Sequence, residues 1–173
     1  MKNSINDKLL IIDFGSQVTQ LISRRLRELS VYSEIHPFQN VSDEFLKEMR
    51  PKAIILSGGP KSVTDENAPL PPKSIFNLNI PILGICYGQQ VLMQMLGGKV
   101  EKSQATSEFG RAKLHSVNKN LDLLKNCFKK QHEEVWMSHG DYVSKIAKDF
   151  EVYGQSEKAP YAVIANPDKK IYG

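Results

Sequence analysis

Short apolar runs alternate with helical patterns through the first hundred residues of the chain. Residues 9–12, 31–36, 53–56 and 80–85 are predicted strands, and the unbroken apolar runs are typical of parallel strands covered on both faces. Between these runs, apolar residues recur at three- and four-residue spacings, as in helices with one buried side. The alternation predicts a doubly wound, mostly parallel α/β sheet with helices on both faces.

Three helical segments follow from the apolar spacing. The first is predicted to bury a stripe made of Val18, Leu21, Ile22, Leu26 and Leu29, and to expose Arg24, Arg25, Arg27 and Glu28. Ser42 is predicted to cap the second helix, which carries Phe45, Leu46 and Met49 on its apolar side. The third helix begins after Cys86, faces the core with Val91, Leu92, Met95 and Leu96, and ends at Gly97-Gly98.

The pattern changes after Gly98. Short strands joined by turns are predicted near residues 111–117, 134–138, 150–153, 161–164 and 170–172. They predict an added sheet edge and a small antiparallel C-terminal extension. The 173 residues are enough for one domain with its own core, so residues 1–173 are predicted to be a single domain.

Composition narrows the class of protein. A hydrophobic content of 40% excludes a disordered chain, and no apolar run approaches the roughly 20 residues of a membrane helix. The net charge is +4, but the basic residues are dispersed, so we expect neither a nucleic-acid nor a membrane partner. No signal region precedes the first strand, and two cysteines make no disulfide framework, which favours the cytoplasm. The four scattered histidines predict no metal site.

Gly84-Ile85-Cys86-Tyr87-Gly88 lies between a predicted strand and a predicted helix, and it has the G-x-nucleophile-x-G pattern with cysteine as the nucleophile. Side chains at the two glycine positions would collide with neighbouring backbone. The free N–H groups of the helix are expected to favour the thiolate of Cys86. The Tyr87 N–H is placed to meet a developing oxyanion, and Gly58-Gly59 is a candidate second donor.

Other readings remain open from the residues alone. Cys86 could be a small buried core residue, and Cys127 has no context that favours chemistry. Gln90 lies on the same helical face as Cys86, where it could hold a polar substrate or face solvent. Ser138-His139-Gly140-Asp141 could complete a Cys-His-Asp triad, although a polar loop after residues 135–137 explains the pattern as well.

With these residues in place, the chain resembles the class I glutamine amidotransferase domain of GMP synthetases, a flavodoxin-like fold. The matching segments are IIDFGSQVTQLISRRLRELSVYSEIHPF, IILSGGPKSV, PILGICYGQQVLMQMLGGKVE, EFGRAKL, VWMSHGD and KKIYG. The resemblance extends from Leu9 to the end of the chain. The GICYGQQ segment is shared by the wider superfamily, whereas DFGSQ and VWMSHGD are typical of GMP synthetases.

The resemblance implies hydrolysis of glutamine to glutamate and ammonia, through a thioester on Cys86. Gly59 and Tyr87 would supply the oxyanion-hole N–H groups. Gln90, Ser138, Gly140 and Asp141 would hold the amino-acid group of glutamine, with His139 in the same substrate loop rather than acting as the base.

The resemblance also implies a partner. Ammonia would pass to an ATP-pyrophosphatase domain or subunit that aminates XMP to GMP, a step of purine biosynthesis. ATP and magnesium would act there as a ligase's cofactors, and this domain would need none. Whether the two parts form one chain or separate subunits stays open, as does a homodimer of the full enzyme.

One feature departs from the family's pattern. The segment resembling KKIYG leads in the family into V-Q-F-H-P-E, which contains the base and the carboxylate that orients it, whereas this sequence ends at Gly173. We therefore expect a piece that lacks the base and turns over little or no glutamine. The alternatives are a non-catalytic docking module, an amidotransferase domain serving another synthetase, and a different cysteine hydrolase or peptidase.

Overall fold

A computed structural model gives the fold of the chain, and it describes residues 7–102, 108–118, 121–125, 127–128 and 132–173. Within these ranges no helix combines the length and the apolar character that crossing a membrane requires.

The described elements follow the predicted order in the first half of the chain. The strands are β1 (Leu9–Asp13), β2 (Ser33–Pro37), β3 (Ala53–Leu56), β4 (Ile82–Gly84), β5 (Lys99–Lys102), β6 (Glu108–Ser116), β7 (His132–His139), β8 (Asp141–Lys145), β9 (Glu151–Gln155), β10 (Val163–Asn166) and β11 (Ile171–Tyr172). The α-helices are α1 (Thr19–Glu28), α2 (Asp43–Met49) and α3 (Tyr87–Leu96), and short 3₁₀ segments cover Phe38–Asn40, Lys73–Asn77 and Asp122–Leu124.

Nine of these strands form one mixed sheet in the order β2-β1-β3-β4-β11-β10-β9-β6-β7. The first five are parallel neighbours, and β10, β9, β6 and β7 extend the sheet with antiparallel pairs. Strands β5 and β8 pair in a separate antiparallel sheet. The predicted doubly wound, mostly parallel sheet with an antiparallel extension is confirmed.

The parallel strands are the buried centre of the domain. Leu10, Ile12, Ile54 and Leu56 of β1 and β3 are at most 1% exposed, because helices and loops cover both faces of this part of the sheet. The chain goes from β1 to β2 in one direction and then back across β1 to β3. The β1–β2 and β2–β3 connections run in opposite directions along the sheet, and connections between parallel strands are right-handed. The helices in these connections, α1 and α2, therefore lie on opposite faces of the sheet.

The predicted apolar stripe of α1 is only partly correct, because Ile22 and Leu26 are half-buried but the other three residues are exposed. Val18 and Leu21 are nearly half exposed and Leu29 is 75% exposed, whereas Thr19 and Ser23 are buried against the sheet. The Ser23 hydroxyl lies 2.9 Å from the hydroxyl of buried Ser33 on β2. A polar pair at the helix–sheet contact thus rotates the helix away from the face that the apolar spacing predicted.

The other helices follow the prediction closely. Ser42 caps α2, where its hydroxyl accepts a hydrogen bond from the Phe45 N–H at 3.2 Å. Gly97 ends α3 in a left-handed conformation with φ of 92°. Of the α3 residues predicted to face the core, Val91 and Leu92 are buried, while Met95 and Leu96 are only half-buried.

Several strand predictions need correction. The strand predicted at 31–36 covers Ser33–Pro37, the one at 80–85 only Ile82–Gly84, and the one at 161–164 lies later, at Val163–Asn166. The polar loop that was one interpretation of residues 138–141 is a tight connection, since β7 ends at His139 and β8 begins at Asp141. Strands β5 and β8 were not predicted.

Candidate active site

Cys86 lies at the turn between β4 and α3, in a strained backbone conformation. Its φ of 55° and ψ of −110° are values that a side-chain-bearing residue rarely adopts, and it directly precedes the first residue of α3. Its side chain is exposed, so Cys86 is not a sealed core residue. This is the backbone geometry that the G-x-nucleophile-x-G pattern predicts.

The two glycines of the turn are required by close approach of the backbone. A Cβ at Gly84 would lie 2.6 Å from the carbonyl oxygen of Gly88, and a Cβ at Gly88 would lie 2.2 Å from the carbonyl oxygen of Leu56. Real Cβ atoms essentially never come within 3.0 Å of such atoms. The predicted collisions at both positions are confirmed, and they bring α3 directly onto the end of β3.

The Gly58-Gly59 segment lies beside Cys86 at the carboxyl end of β3. A Cβ on Gly58 would be 3.6 Å from the Cβ of Cys86, and a Cβ on Gly59 would be 2.7 Å from the carbonyl oxygen of Phe14. The Tyr87 N–H is directed at the Cys86 sulfur. Main-chain groups from two neighbouring strand ends therefore meet at the thiol, as expected for parallel strands.

The thiol differs from the expected thiolate. Removal of water from around the side chain raises the pKa of Cys86, and the negative charge of Asp141 raises that pKa further. The hydrogen bond from the Tyr87 N–H lowers the pKa, but it does not outweigh the other two effects. The resting group is therefore a neutral thiol, and any reaction at its sulfur needs a group that takes the proton.

A cavity of about 380 Å³ opens beside Cys86. It is lined by the end of β4, the first turn of α3, strands β7 and β8, and the segment from Ala159 to Val163. Gly173, which follows β11, also lines it. A cavity of this size with mostly apolar walls and a few polar groups is typical of small-molecule sites.

The predicted substrate residues meet in this cavity, with one exception. Gln90, Ser138, His139 and Asp141 line it, whereas Gly140 is exposed at the turn and does not. The Cys86 thiol lies 3.6 Å from the carbonyl oxygen of Ser138, to which it donates. The buried Gln90 side chain donates from Nε2 to the Asp141 carbonyl oxygen at 3.1 Å, so α3 anchors the β7–β8 turn.

His139 shares this anchor. Its Nδ1 lies 3.1 Å from the same Asp141 carbonyl oxygen. Two side chains thus contact the Asp141 carbonyl oxygen and hold the main chain in place. The position of the Asp141 carboxylate is therefore set by a fixed backbone. This geometry fits a structured binding loop after β7.

Two further groups at the site were missed. Gln89 donates from Nε2 to the Tyr161 carbonyl oxygen at 2.9 Å and connects α3 to the far wall of the cavity. Asp13 and Ser57 link the ends of β1 and β3 through a hydrogen bond of 3.3 Å. The only sequence signal for that pair is that each residue ends or follows a predicted parallel strand.

The profile of the family described as class-I glutamine amidotransferase matches residues 10–173. The chain belongs to the class I glutamine amidotransferase family. The family assignment made from the GICYGQQ and VWMSHGD segments is thereby confirmed.

Curated relatives in this family include long proteins. The chain is 63% identical over 167 residues to the GMP synthase (glutamine-hydrolyzing) of Dinoroseobacter shibae, covering 96% of this chain and 32% of that protein. It is 51% identical over 172 residues to the protein of the same name from Brachyspira hyodysenteriae, with 99% and 32% covered. The chain therefore spans about a third of the length of the curated relatives it matches.

Solved amidotransferase structures share the fold. A candidate GMP synthase subunit from Thermoplasma acidophilum superposes with a TM-score of 0.81 at 28% identity, covering 96% of this chain and 81% of that one. A glutamine amidotransferase from Thermotoga maritima gives a TM-score of 0.73 at 21% identity, covering 98% and 75%. The mixed α/β sheet is thus an established architecture of this family.

Proposed function

We propose that this chain is the glutaminase part of a glutamine-hydrolysing GMP synthase, with Cys86 as the nucleophile. The observation that carries the proposal is the strained Cys86 turn, which opens into the cavity with Gly58 and the Tyr87 N–H beside it. The high identity to GMP synthases over nearly the whole chain supports the choice of enzyme.

Glutamine is proposed to bind with its carboxamide at Cys86 and its amino-acid group toward the β7–β8 turn. The Asp141 carboxylate would pair with the α-ammonium group. The main chains of Ser138 and Gly140 would contact the same amino-acid group of glutamine. Gln90 contributes by fixing the Asp141 backbone. Glutamine has a neutral carboxamide at one end and a charged amino-acid group at the other. The charged end needs a charged partner, and Asp141 would supply it away from the thiol.

In the first chemical step, the Cys86 sulfur attacks the carboxamide carbon and the carbonyl electrons move onto oxygen. The N–H groups of Tyr87 and Gly59 are proposed to stabilise this oxyanion. The tetrahedral intermediate collapses with release of ammonia and leaves a glutamyl thioester on Cys86. Water then attacks the thioester, which frees glutamate and returns the thiol.

The raised pKa of Cys86 makes a base necessary for this cycle, because the thiol proton must be taken up and given to the leaving ammonia. The family resemblance places the base and its orienting carboxylate in V-Q-F-H-P-E, the segment that follows the counterpart of KKIYG in the family. We propose that the base reaches the cavity from the carboxyl end of β11, since Gly173 already lines the cavity.

A synthetase domain or subunit is the proposed recipient of the ammonia, and ATP and magnesium are proposed to act there on XMP. In the described part of the chain, no group of three or more His, Cys, Asp or Glu side chains could hold a metal ion, so none of these residues is assigned to magnesium.

Labelling with a glutamine analogue that carries a diazoketone in place of the carboxamide tests the proposal, on a chain that continues through the base-bearing segment. We expect one adduct per chain, on the peptide containing Cys86, and protection by excess glutamine but not by glutamine-containing dipeptides. Cys127→Ala is the matched control, because Cys127 is an exposed cysteine outside the cavity. Equal labelling of Cys86→Ala, or protection by the dipeptides alone, would refute the assignment.

A further inference from the structure

A polar network joins the ends of β1 and β3 next to the Cys86 turn. One carboxylate oxygen of Asp13 accepts hydrogen bonds from the Gly15 N–H at 3.0 Å, the Ser16 N–H at 3.3 Å and the Thr19 hydroxyl at 2.8 Å. The same oxygen lies 3.3 Å from the hydroxyl of Ser57. Asp13 thus fixes the turn after β1 and reaches across to the residue that follows β3.

Ser57 is fully buried, and its hydroxyl contacts three groups. It accepts from the Phe14 N–H at 3.1 Å, and it lies 2.8 Å from the Gly58 carbonyl oxygen in addition to its contact with Asp13. A hydroxyl carries one proton, and the shorter distance is the one to Gly58. The Ser57 proton is therefore shared in a three-centre hydrogen bond, in which the Gly58 carbonyl oxygen is the nearer acceptor and the Asp13 carboxylate is the farther one.

The contact to Gly58 fixes more than one carbonyl group. A trans peptide is planar, so the C=O of Gly58 and the N–H of Gly59 point in opposite directions. Holding the Gly58 oxygen at Ser57 therefore sets the direction of the Gly59 N–H. Two adjacent glycines have no side chains that would restrict rotation of this peptide, so the hydrogen bond from Ser57 acts together with the packing of Gly59 on Phe14 to fix it.

The surroundings connect the same peptide to the nucleophile. Gly58 lies against the Cβ of Cys86, and Gly59 packs against the main chain of Phe14. The Phe14 ring contacts the Tyr87 ring with centroids 5.2 Å apart. The two proposed oxyanion donors, Gly59 and Tyr87, are thus both packed on Phe14, whose own N–H bonds Ser57.

We infer that Ser57 is a positioning residue for the oxyanion hole: its hydroxyl orients the Gly58–Gly59 peptide, and Asp13 holds the hydroxyl in place. This inference rests on the proposed function, since it concerns the oxyanion that forms when Cys86 attacks glutamine. It predicts that loss of the hydroxyl weakens stabilisation of an oxyanion and leaves the reactivity of the thiol itself unchanged.

Two reagents separate these effects. Glutamate γ-semialdehyde adds to the thiol to form a hemithioacetal, in which the S–C bond forms and the aldehyde oxygen becomes the group that the oxyanion hole contacts. Iodoacetamide alkylates the sulfur with loss of iodide, and no oxyanion develops. The dissociation constant of the first and the alkylation rate of the second are measured on the same protein, with the adducts located by mass spectrometry.

In Ser57→Ala we expect the semialdehyde to bind about 10- to 100-fold more weakly, below the loss found when an oxyanion donor is removed entirely. The rate of Cys86 alkylation should stay within about twofold. Ser23→Ala is the matched control, because Ser23 is also a buried serine whose hydroxyl bonds another side chain, and it lies away from the cavity. That variant should change neither quantity.

Ser57→Thr retains a hydroxyl and should restore most of the semialdehyde affinity. Asp13→Asn is a second test if Ser57→Ala does not fold, because it keeps an acceptor oxygen and removes the charge. It should weaken semialdehyde binding severalfold and leave the alkylation rate unchanged. Equal semialdehyde affinity in wild type and Ser57→Ala would overturn the inference, and so would an equal fall in both measurements. Failure of wild type to form the Cys86 adduct at all would instead refute the proposed function.

Discussion

At the scale of single residues, the protonation of Cys86 is set by competing neighbours. The cavity walls remove part of the water around the exposed thiol, and this desolvation and the carboxylate of Asp141 raise its pKa, while the Tyr87 N–H lowers it. The free N–H groups at a helix start are visible in a sequence, and they favour the thiolate. The sequence does not show how close the cavity walls and Asp141 lie to the sulfur. These two neighbours make the net shift of the Cys86 pKa an increase.

The raised pKa has a measurable consequence. Since only the thiolate reacts, alkylation of Cys86 by iodoacetamide should increase with pH, and its midpoint should lie above that of an ordinary cysteine. Asp141→Asn removes the negative charge but keeps the carbonyl oxygen that Gln90 and His139 contact, so it should lower the midpoint and speed alkylation at a fixed pH near 8. The measurement is the pH–rate profile of the Cys86 peptide by mass spectrometry.

Cys86→Ser identifies the signal, because it removes the alkylated peptide and leaves Cys127 in place. A midpoint at or below that of an ordinary cysteine would show that the helix-terminal N–H groups outweigh burial. An unchanged midpoint in Asp141→Asn would show that the carboxylate does not act on the sulfur.

At the scale of elements, the close contact of α3 with the end of β3 holds the Cys86 turn. The main chain at Gly88 approaches the Leu56 carbonyl so closely that a Cβ would be 2.2 Å away. The Ile85 N–H also donates to that carbonyl at 2.9 Å. The turn is therefore fixed by backbone contacts, and the approach of Gly88 to Leu56 is one that only glycine permits.

Gly88→Ala should accordingly lower the free energy of unfolding by at least about 2 kcal/mol, because a rigid backbone rather than a flexible side chain must move. Gly140→Ala is the control: its φ lies outside the left-handed region and nothing lies within 4 Å of the added Cβ, so we expect a change within about 0.5 kcal/mol. Urea unfolding measures both. Equal stability of the two variants would contradict the close contact.

The elements differ in how well the sequence predicts them. Strands β1 and β3 and helices α2 and α3 follow from apolar runs, from the Ser42 cap and from Gly97. The face of α1 does not, because its contact with the sheet is the Ser23–Ser33 hydroxyl pair, and apolar spacing cannot detect it. The strands after Gly98 lie in the sheet in the order β11-β10-β9-β6-β7, with β5 and β8 in a separate sheet, so apolar spacing predicts their positions only to within a few residues and does not predict their pairing partners.

At the scale of the whole molecule, β11 joins the two halves of the sheet. It pairs with β4 in parallel and with β10 antiparallel, so a two-residue strand connects the parallel core to the antiparallel extension. Gly173, directly after it, reaches the cavity that begins at the end of β4. Cys86 and Gly58-Gly59 were predictable as neighbours because they follow the carboxyl ends of the adjacent strands β3 and β4. The opposite wall of the cavity, made by β7, β8 and residues 159–163, depends on strand pairings between distant parts of the chain.

The opposite wall contains a built-in reporter, Trp136, the only tryptophan of the chain. It is 75% exposed on β7 and lines the cavity with Ser138. Its fluorescence in the free protein should resemble that of a solvated indole.

Attachment of the diazoketone analogue of glutamine to Cys86 should fill the cavity, shift the Trp136 emission to shorter wavelength and reduce quenching by acrylamide, because the bound analogue displaces water from the ring. Cys86→Ala treated with the same reagent should show neither change. Full labelling of Cys86 with unchanged quenching would mean that the substrate lies away from β7, and the arrangement proposed for Ser138 and Asp141 would then be wrong.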